Sequence, residues 1–140
     1  MQHNTANNTD EIYCNEAKFA EITNVSDNYN ILYDEMSKCY LVMNDKAVGI
    51  IINSRNGSCT NIDLSNVISN WNVKNISFYK GHIYIPSENR LYIASASNNY
   101  VEPKIMECDK IMTPASKVFD INKSGFSVLC NDNLYEIRKG

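Results

Sequence analysis

Hydrophobic and polar residues alternate at short intervals along most of the chain. Three segments show the pattern most clearly: YLVMNDKAVGIIIN (40–53), IYIPSENRLYIASA (83–96) and FSVLCNDNLYEIRK (126–139). In each, a short apolar run passes through polar turn-formers into a second apolar run, which predicts a β-hairpin. The turns fall at Asn44-Asp45-Lys46, Ser87-Glu88-Asn89 and Cys130-Asn131-Asp132-Asn133. The hairpins share a register: Val48, Leu91 and Leu134 are spaced by 43 residues, and so are Tyr40, Ile83 and Phe126, and Val42, Ile85 and Val128. Upstream, Tyr33, Ile76 and Phe119 keep the same interval, as do Phe19, Ile62 and Ile105. Five ungapped columns predict three tandem repeats of about 43 residues, each of four short strands. The units run over 18–60, 61–103 and 104–140.

Other stretches read differently. EIYCNEAKFAEI (11–22) is compatible with a short helix, in competition with a strand over Phe19–Ile22. Leu64, Val67, Ile68 and Trp71 lie at helical spacing behind Asp63, a capping residue type, and predict a helical turn. Residues 1–10 are poor in apolar side chains and rich in Asn and Thr, and read as a disordered tail. That leaves 11–140 as a single β-repeat domain, a length suited to one core.

A lone four-stranded unit exposes two edges and cannot bury its own apolar face. Three such units close without help as a β-trefoil, with the strand at Leu134–Arg138 returning beside Phe19. The all-β, trefoil-like closure is therefore the favoured expectation. The alternative is a partial β-propeller. Propellers take about 4–8 blades, so three units would call for oligomerisation or a partner.

EPKIMECDKIMTPASKVFDINKSGFSVLCNDNLYEIRKG (102–140) resembles one repeat of the RCC1-type β-propeller family, through Pro103, Ile105, Ile111, Ser127, Leu129 and Asp132-Asn133-Leu134-Tyr135. Residues 70–100 are similar, through Ile76, Asn89-Arg90-Leu91-Tyr92 and Asn98-Asn99-Tyr100. Together these cover about half the chain. The glycine pair usual before the "Ser-x-x-Leu" strand of that family is absent, leaving Gly81 and Gly125. The resemblance implies a protein-binding platform made of RCC1-like blades. No residue here matches a catalytic motif that would carry the family's exchange activity. The Tyr40–Met43 hairpin is also similar to hairpins of β-trefoil growth factors and lectins.

Composition narrows the function classes. The chain has 13 Lys plus Arg against 16 Asp plus Glu, a net charge of -3, and so lacks the basic excess of a nucleic-acid binder. No apolar run reaches the ~18 residues of a membrane helix, and the N-terminal residues lack the apolar stretch of a signal peptide. The five cysteines (Cys14, Cys39, Cys59, Cys108, Cys130) are odd in number, widely spaced and without a Cys-x-x-Cys pair. They fit neither a disulfide framework nor a zinc ribbon, and point to reduced thiols in a cytoplasmic setting. Asn accounts for 21 of 140 residues; because it tolerates left-handed backbone, it supplies the bends that only five glycines cannot.

Candidate chemistry is sparse. His82, beside Gly81, is a possible general base or ligand, read here as a strand-edge side chain. Asp34, Glu35, Asp45, Glu88 and Asp132 lie in turns without Ca²⁺-loop spacing, and no phosphate-cradling glycine motif occurs. No catalytic residue, cofactor or metal is therefore expected. The basic end, Arg138-Lys139-Gly140, reads as a solvated face. Tyr33, Tyr40, Tyr84, Tyr92 and Tyr135 fall in strands and read as core or cross-strand residues. Tyr29, Trp71, Tyr79 and Tyr100 fall nearer loops, where exposed aromatics serve as interface anchors, and are the candidate partner-binding residues. The expected function is a non-catalytic protein–protein interaction module, an adaptor or inhibitor presenting rigid loops. Carbohydrate binding by lectin-like trefoil loops and a small enzyme built on His82 are the alternatives.

Overall fold

The computed structural model describes residues 1–14 and 16–138. The described residues form fourteen strands: β1 (Gln2–Asn4), β2 (Thr9–Cys14), β3 (Ala17–Ile22), β4 (Tyr29–Asp34), β5 (Cys39–Asn44), β6 (Val48–Asn53), β7 (Cys59–Asp63), β8 (Ser77–Tyr79), β9 (His82–Ser87), β10 (Arg90–Ala94), β11 (Lys104–Glu107), β12 (Lys117–Asn122), β13 (Gly125–Cys130) and β14 (Asn133–Arg138). They pair into four antiparallel sheets, β1–β3, β4–β7, β8–β11 and β12–β14. Each sheet is an open meander, and none closes into a barrel.

One reading of the N-terminal region is corrected: Gln2–Asn4 and Thr9–Cys14 pair with each other, so the decapeptide expected to be a disordered tail supplies the first hairpin. Of the two readings of 11–22 the strand holds, with Thr9–Cys14 and Ala17–Ile22 pairing as the β2–β3 hairpin. Burial decides the outcome: Ile12, Ala20 and Ile22 pack on the second sheet, while Glu11 and Lys18 pair on the outer side. The helical turn after Asp63 is one turn only. Ile68 and Val67 donate backbone N–H to Leu64, and the Asp63 carboxylate caps the N–H of Ser65.

Core residues lie between successive sheets. The largest cluster joins the second and third sheets, through Leu41, Met43, Ile51, Ile62, Ile83 and Ile85. A second joins the third and fourth, through Tyr84, Leu91, Val118, Phe126 and Val128. The smallest joins the first and second, with only Ile22, Val42, Val48 and Ile50 fully buried. Polar side chains add ties. Asn30 donates to the Val73 carbonyl (2.9 Å), Ser77 to that of Val118 (2.6 Å), and Lys117 to that of Ile76 (3.2 Å).

The 43-residue columns fall on corresponding strands. Phe19, Ile62 and Ile105 lie on the last strands of the first three sheets, and Tyr40, Ile83 and Phe126 on β5, β9 and β13. Val42, Ile85 and Val128 are all buried, each in the cluster shared with the preceding sheet. Val48, Leu91 and Leu134 diverge. The β5–β6 turn holds residues 45–47, whereas the β9–β10 and β13–β14 turns hold two residues each. One extra residue shifts the pairing by one and turns the column to the other face. Val48 therefore faces the first sheet and Leu91 the fourth. Leu134 keeps the orientation of Leu91 but is 67% exposed, since among the described residues no further sheet covers that side of the fourth.

Candidate functional site

The weakest junction carries the main concave apolar surface. On the second sheet, Ile31 pairs with Val42 and Tyr33 with Tyr40 across β4 and β5. A neighbouring sheet lying flush against this face would cover all four. The first sheet covers only part of it, and beside the uncovered part β2 is bulged between Ile12 and Tyr13, two of the residues that wall the gap. An open groove of about 500 Å³ results, walled by Met1, Ile12, Tyr13 and Phe19 on one side and by Ile31, Tyr40 and Ile52 on the other. Ile31 is 58% exposed, Tyr40 43% and Phe19 38%. The floor reaches Gly57, whose φ of +71° suits glycine and whose missing side chain leaves room for the Phe19 ring: a Cβ there would stand 3.2 Å from Phe19 Cζ.

A polar cluster holds the two sheets together beside this groove. The Asp10 carboxylate is fully buried; its Oδ2 accepts from the Tyr29 hydroxyl and from the Ser26 backbone N–H (2.9 Å), and its Oδ1 forms an ion-pair contact with His3 Nδ1. His3 Nε2 meets Asp27 at 2.9 Å. Asn44, buried at the end of β5, donates to the Asn24 carbonyl (2.7 Å), while its side-chain oxygen accepts the Lys46 and Val48 N–H groups. Burial pushes the Asp10 carboxyl up, but hydrogen bonds from Tyr29 and Ser26 and the charge of His3 outweigh it and hold it below the usual value. Tyr29 moves the other way: burial, and then its bond to the Asp10 carboxylate, raise its hydroxyl well above the ordinary tyrosine value.

The aromatic candidates from the sequence do not form one surface. Tyr29 is half-buried and spends its hydroxyl on Asp10. Trp71 packs at the edge of the largest core and lines a shallow cleft with Asn72 and Lys74. Tyr79 packs on the third–fourth sheet core, with the Lys80 ammonium 5.8 Å from its ring centre. Tyr100 is only 7% exposed and belongs to the largest core, so it is not an accessible anchor. The exposed aromatics are instead strand residues: Tyr13, Phe19, Tyr33 and Tyr40. Alternation alone could not find them, because it marks a face as apolar without saying whether a neighbouring sheet covers it.

His82 Nδ1 is buried without a hydrogen-bond partner, and its ring stands edge-on to Tyr84 at 6.4 Å. No described Ser, Cys or carboxylate side chain bonds to it. Among the described residues no three His, Cys, Asp or Glu side chains gather as a metal site. All five cysteines are free. No helix among the described residues is long and apolar enough to cross a membrane. Lys139, part of the basic end, lies outside the described residues.

No family model matches the chain, and neither a curated protein nor a solved structure matches it significantly.

Proposed function

We propose that this chain is a non-catalytic protein-binding module that seats its partner in the groove between the first two sheets. The observation that carries this reading is the open apolar wall of Phe19, Ile31 and Tyr40 on a framework of paired strands. Contiguous exposed apolar surface is costly to leave in water and marks interaction sites. Side chains held by strands lose little further freedom on binding, which favours affinity. Trp71 and Tyr79, on other junctions, are secondary contacts at most.

In architecture, the reading extends to a partial propeller rather than a trefoil. What supports this reading is that the four sheets are separate meanders packed in chain order, as successive propeller blades are, whereas a trefoil needs strands from all its units in one closed barrel. RCC1-like blades are in keeping with this layout.

Affinity capture with the tagged full chain tests the functional reading, with Ile31→Asp and Tyr40→Asp measured in parallel. A protein recovered by the parent chain and lost with both variants is the expected result. Partners that survive both substitutions would remove the groove from the proposal. Recovery of none, from any source cell, would remove the class.

A further inference from the structure

We infer that His3 is a proton-operated latch that sets how firmly the first sheet docks on the second, and hence the width of the neighbouring groove. The inference rests on the functional reading only for the groove's use; the latch stands on its own geometry. His3, on β1, lies between two carboxylates carried by different segments: Asp10 on β2 and Asp27 in the linker to β4. Only the imidazolium carries an N–H at each ring nitrogen together with a positive charge, so only it is hydrogen-bonded to Asp27 and at the same time ion-paired with Asp10. Neutral imidazole keeps one N–H and turns a lone pair toward the other carboxylate, which then repels it. Deprotonation therefore releases one of the two ties.

The surroundings limit what else titrates there. Behind Asp10 stands the Tyr29 hydroxyl of β4, and from the β5–β6 turn Asp45 and Lys46 line the same depression as His3. Asp45 is engaged by Ser26 (2.6 Å) and Asn28 (3.0 Å), and Lys46 donates to the Val25 carbonyl. The Asp10 and Asp45 carboxyls are both held below their ordinary values by the hydrogen bonds they accept. His3 carries the side-chain type whose charge changes between pH 5 and 8. Its hydrogen bond to Asp27, then the charge of Asp10, raise its proton affinity above the ordinary value of 6.5.

The sign follows. A group with a raised folded-state value contributes its stabilisation fully below 6.5 and loses it as pH climbs through the folded value. The latch is closed in mild acid and released in mild alkali. This junction has the fewest buried apolar residues of the three, so a polar tie carries weight here that it would not carry elsewhere.

Hydrogen exchange of the full chain tests this, with each pH corrected for the intrinsic amide rate. In the parent chain, protection of the β2 and β3 amides is expected to fall severalfold between pH 5.5 and 8.5, while β9 and β13 stay unchanged. In His3→Gln it is low and flat across the same range. Asp27→Asn, at an exposed position where folding is not at stake, shows a smaller fall than the parent. Binding of 8-anilinonaphthalene-1-sulfonate, a probe of open apolar surface, rises with pH in the parent and is lowered at every pH by Tyr40→Asp. A parent profile as flat as that of His3→Gln would overturn the latch. If the latch titrates but no protein is captured through the groove, the functional reading alone fails; capture without titration removes the latch alone.

Discussion

The junction between the first and second sheets and that between the second and third solve the same packing problem in different ways. The inner junction excludes water with a continuous apolar layer, from Leu41 and Met43 across to Ile83, Ile85 and Tyr92. The outer one buries four apolar residues and relies on a buried carboxylate with its donors. Apolar burial is insensitive to direction and pH, whereas a hydrogen-bonded carboxylate depends on geometry and protonation. The inner junction is thus suited to be scaffold and the outer one to be adjustable. The open apolar groove lies at this outer junction.

The largest effect is expected from the scaffold. Ile85 is fully buried in the inner layer, and Ile85→Ala removes three heavy atoms from a site whose neighbours are held by paired strands. The loss is about 2–5 kcal/mol, read as a shift in the urea midpoint of the whole chain. If only the first sheet loosened while the rest kept its midpoint, the ranking of the junctions would be reversed.

Asp34 comes next, because it ties the second sheet to the third without being part of the apolar layer. It accepts the Gly81 N–H (2.8 Å) and the Ser37 hydroxyl (2.5 Å). Burial raises its carboxyl, but these hydrogen bonds prevail and hold it below its ordinary value of 3.8. Asp34→Asn is expected to cost about 1–3 kcal/mol. The parent chain keeps this contribution above 3.8 and loses it as pH falls toward the folded value, so the gap between parent and variant closes in acid. A gap that stayed constant from pH 7 to pH 3 would show that shape, not charge, carries the tie.

Much of the fold was legible in the chain. The hairpins at 40–53, 83–96 and 126–138 are strands where alternation placed them, and Asn131 and Asp132 supply the left-handed turn that Asn-rich bends imply. The boundaries of the units were not. Grouping started a unit at Phe19, Ile62 and Ile105, yet those residues end their sheets, because a column of equal spacing does not say where one sheet stops. The first hairpin was hidden for a different reason. Its polar side chains, His3 and Asp10 among them, are organised by contacts with Asp27 and Tyr29, more than fifteen residues distant, which local periodicity does not record. The groove escaped for the same reason. Tyr40 reads as a core or cross-strand residue, and it does pair with Tyr33, with ring centres 4.7 Å apart, but local alternation does not record that the first sheet leaves it 43% exposed.

Tyr29→Phe sharpens the contrast at smaller cost. It keeps the ring against the first–second sheet cluster and removes only the hydroxyl that donates to Asp10. Loss of one bond to a buried carboxylate is worth about 1–3 kcal/mol, and it falls on the outer junction. Exchange protection of β2 and β3 should drop while β9 and β13 keep theirs. Equal loss in all four sheets would mean that the first sheet does not open independently, and the division into scaffold and adjustable edge would have to go.

The smallest effect separates a repeated position from a repeated role. Leu91 and Leu134 share spacing and orientation, but Leu91 is covered by the fourth sheet and Leu134 meets solvent. Leu134→Ala should therefore change stability by no more than about 0.5 kcal/mol, whereas Leu91→Ala should cost about 2–5 kcal/mol, both read from urea unfolding at a protein concentration low enough to exclude association. The comparison holds chemistry and register nearly fixed and varies only whether a neighbouring sheet is present. A large loss at Leu134 under those conditions would mean that this face is covered in solution, and that the fourth sheet is not the end of the stack.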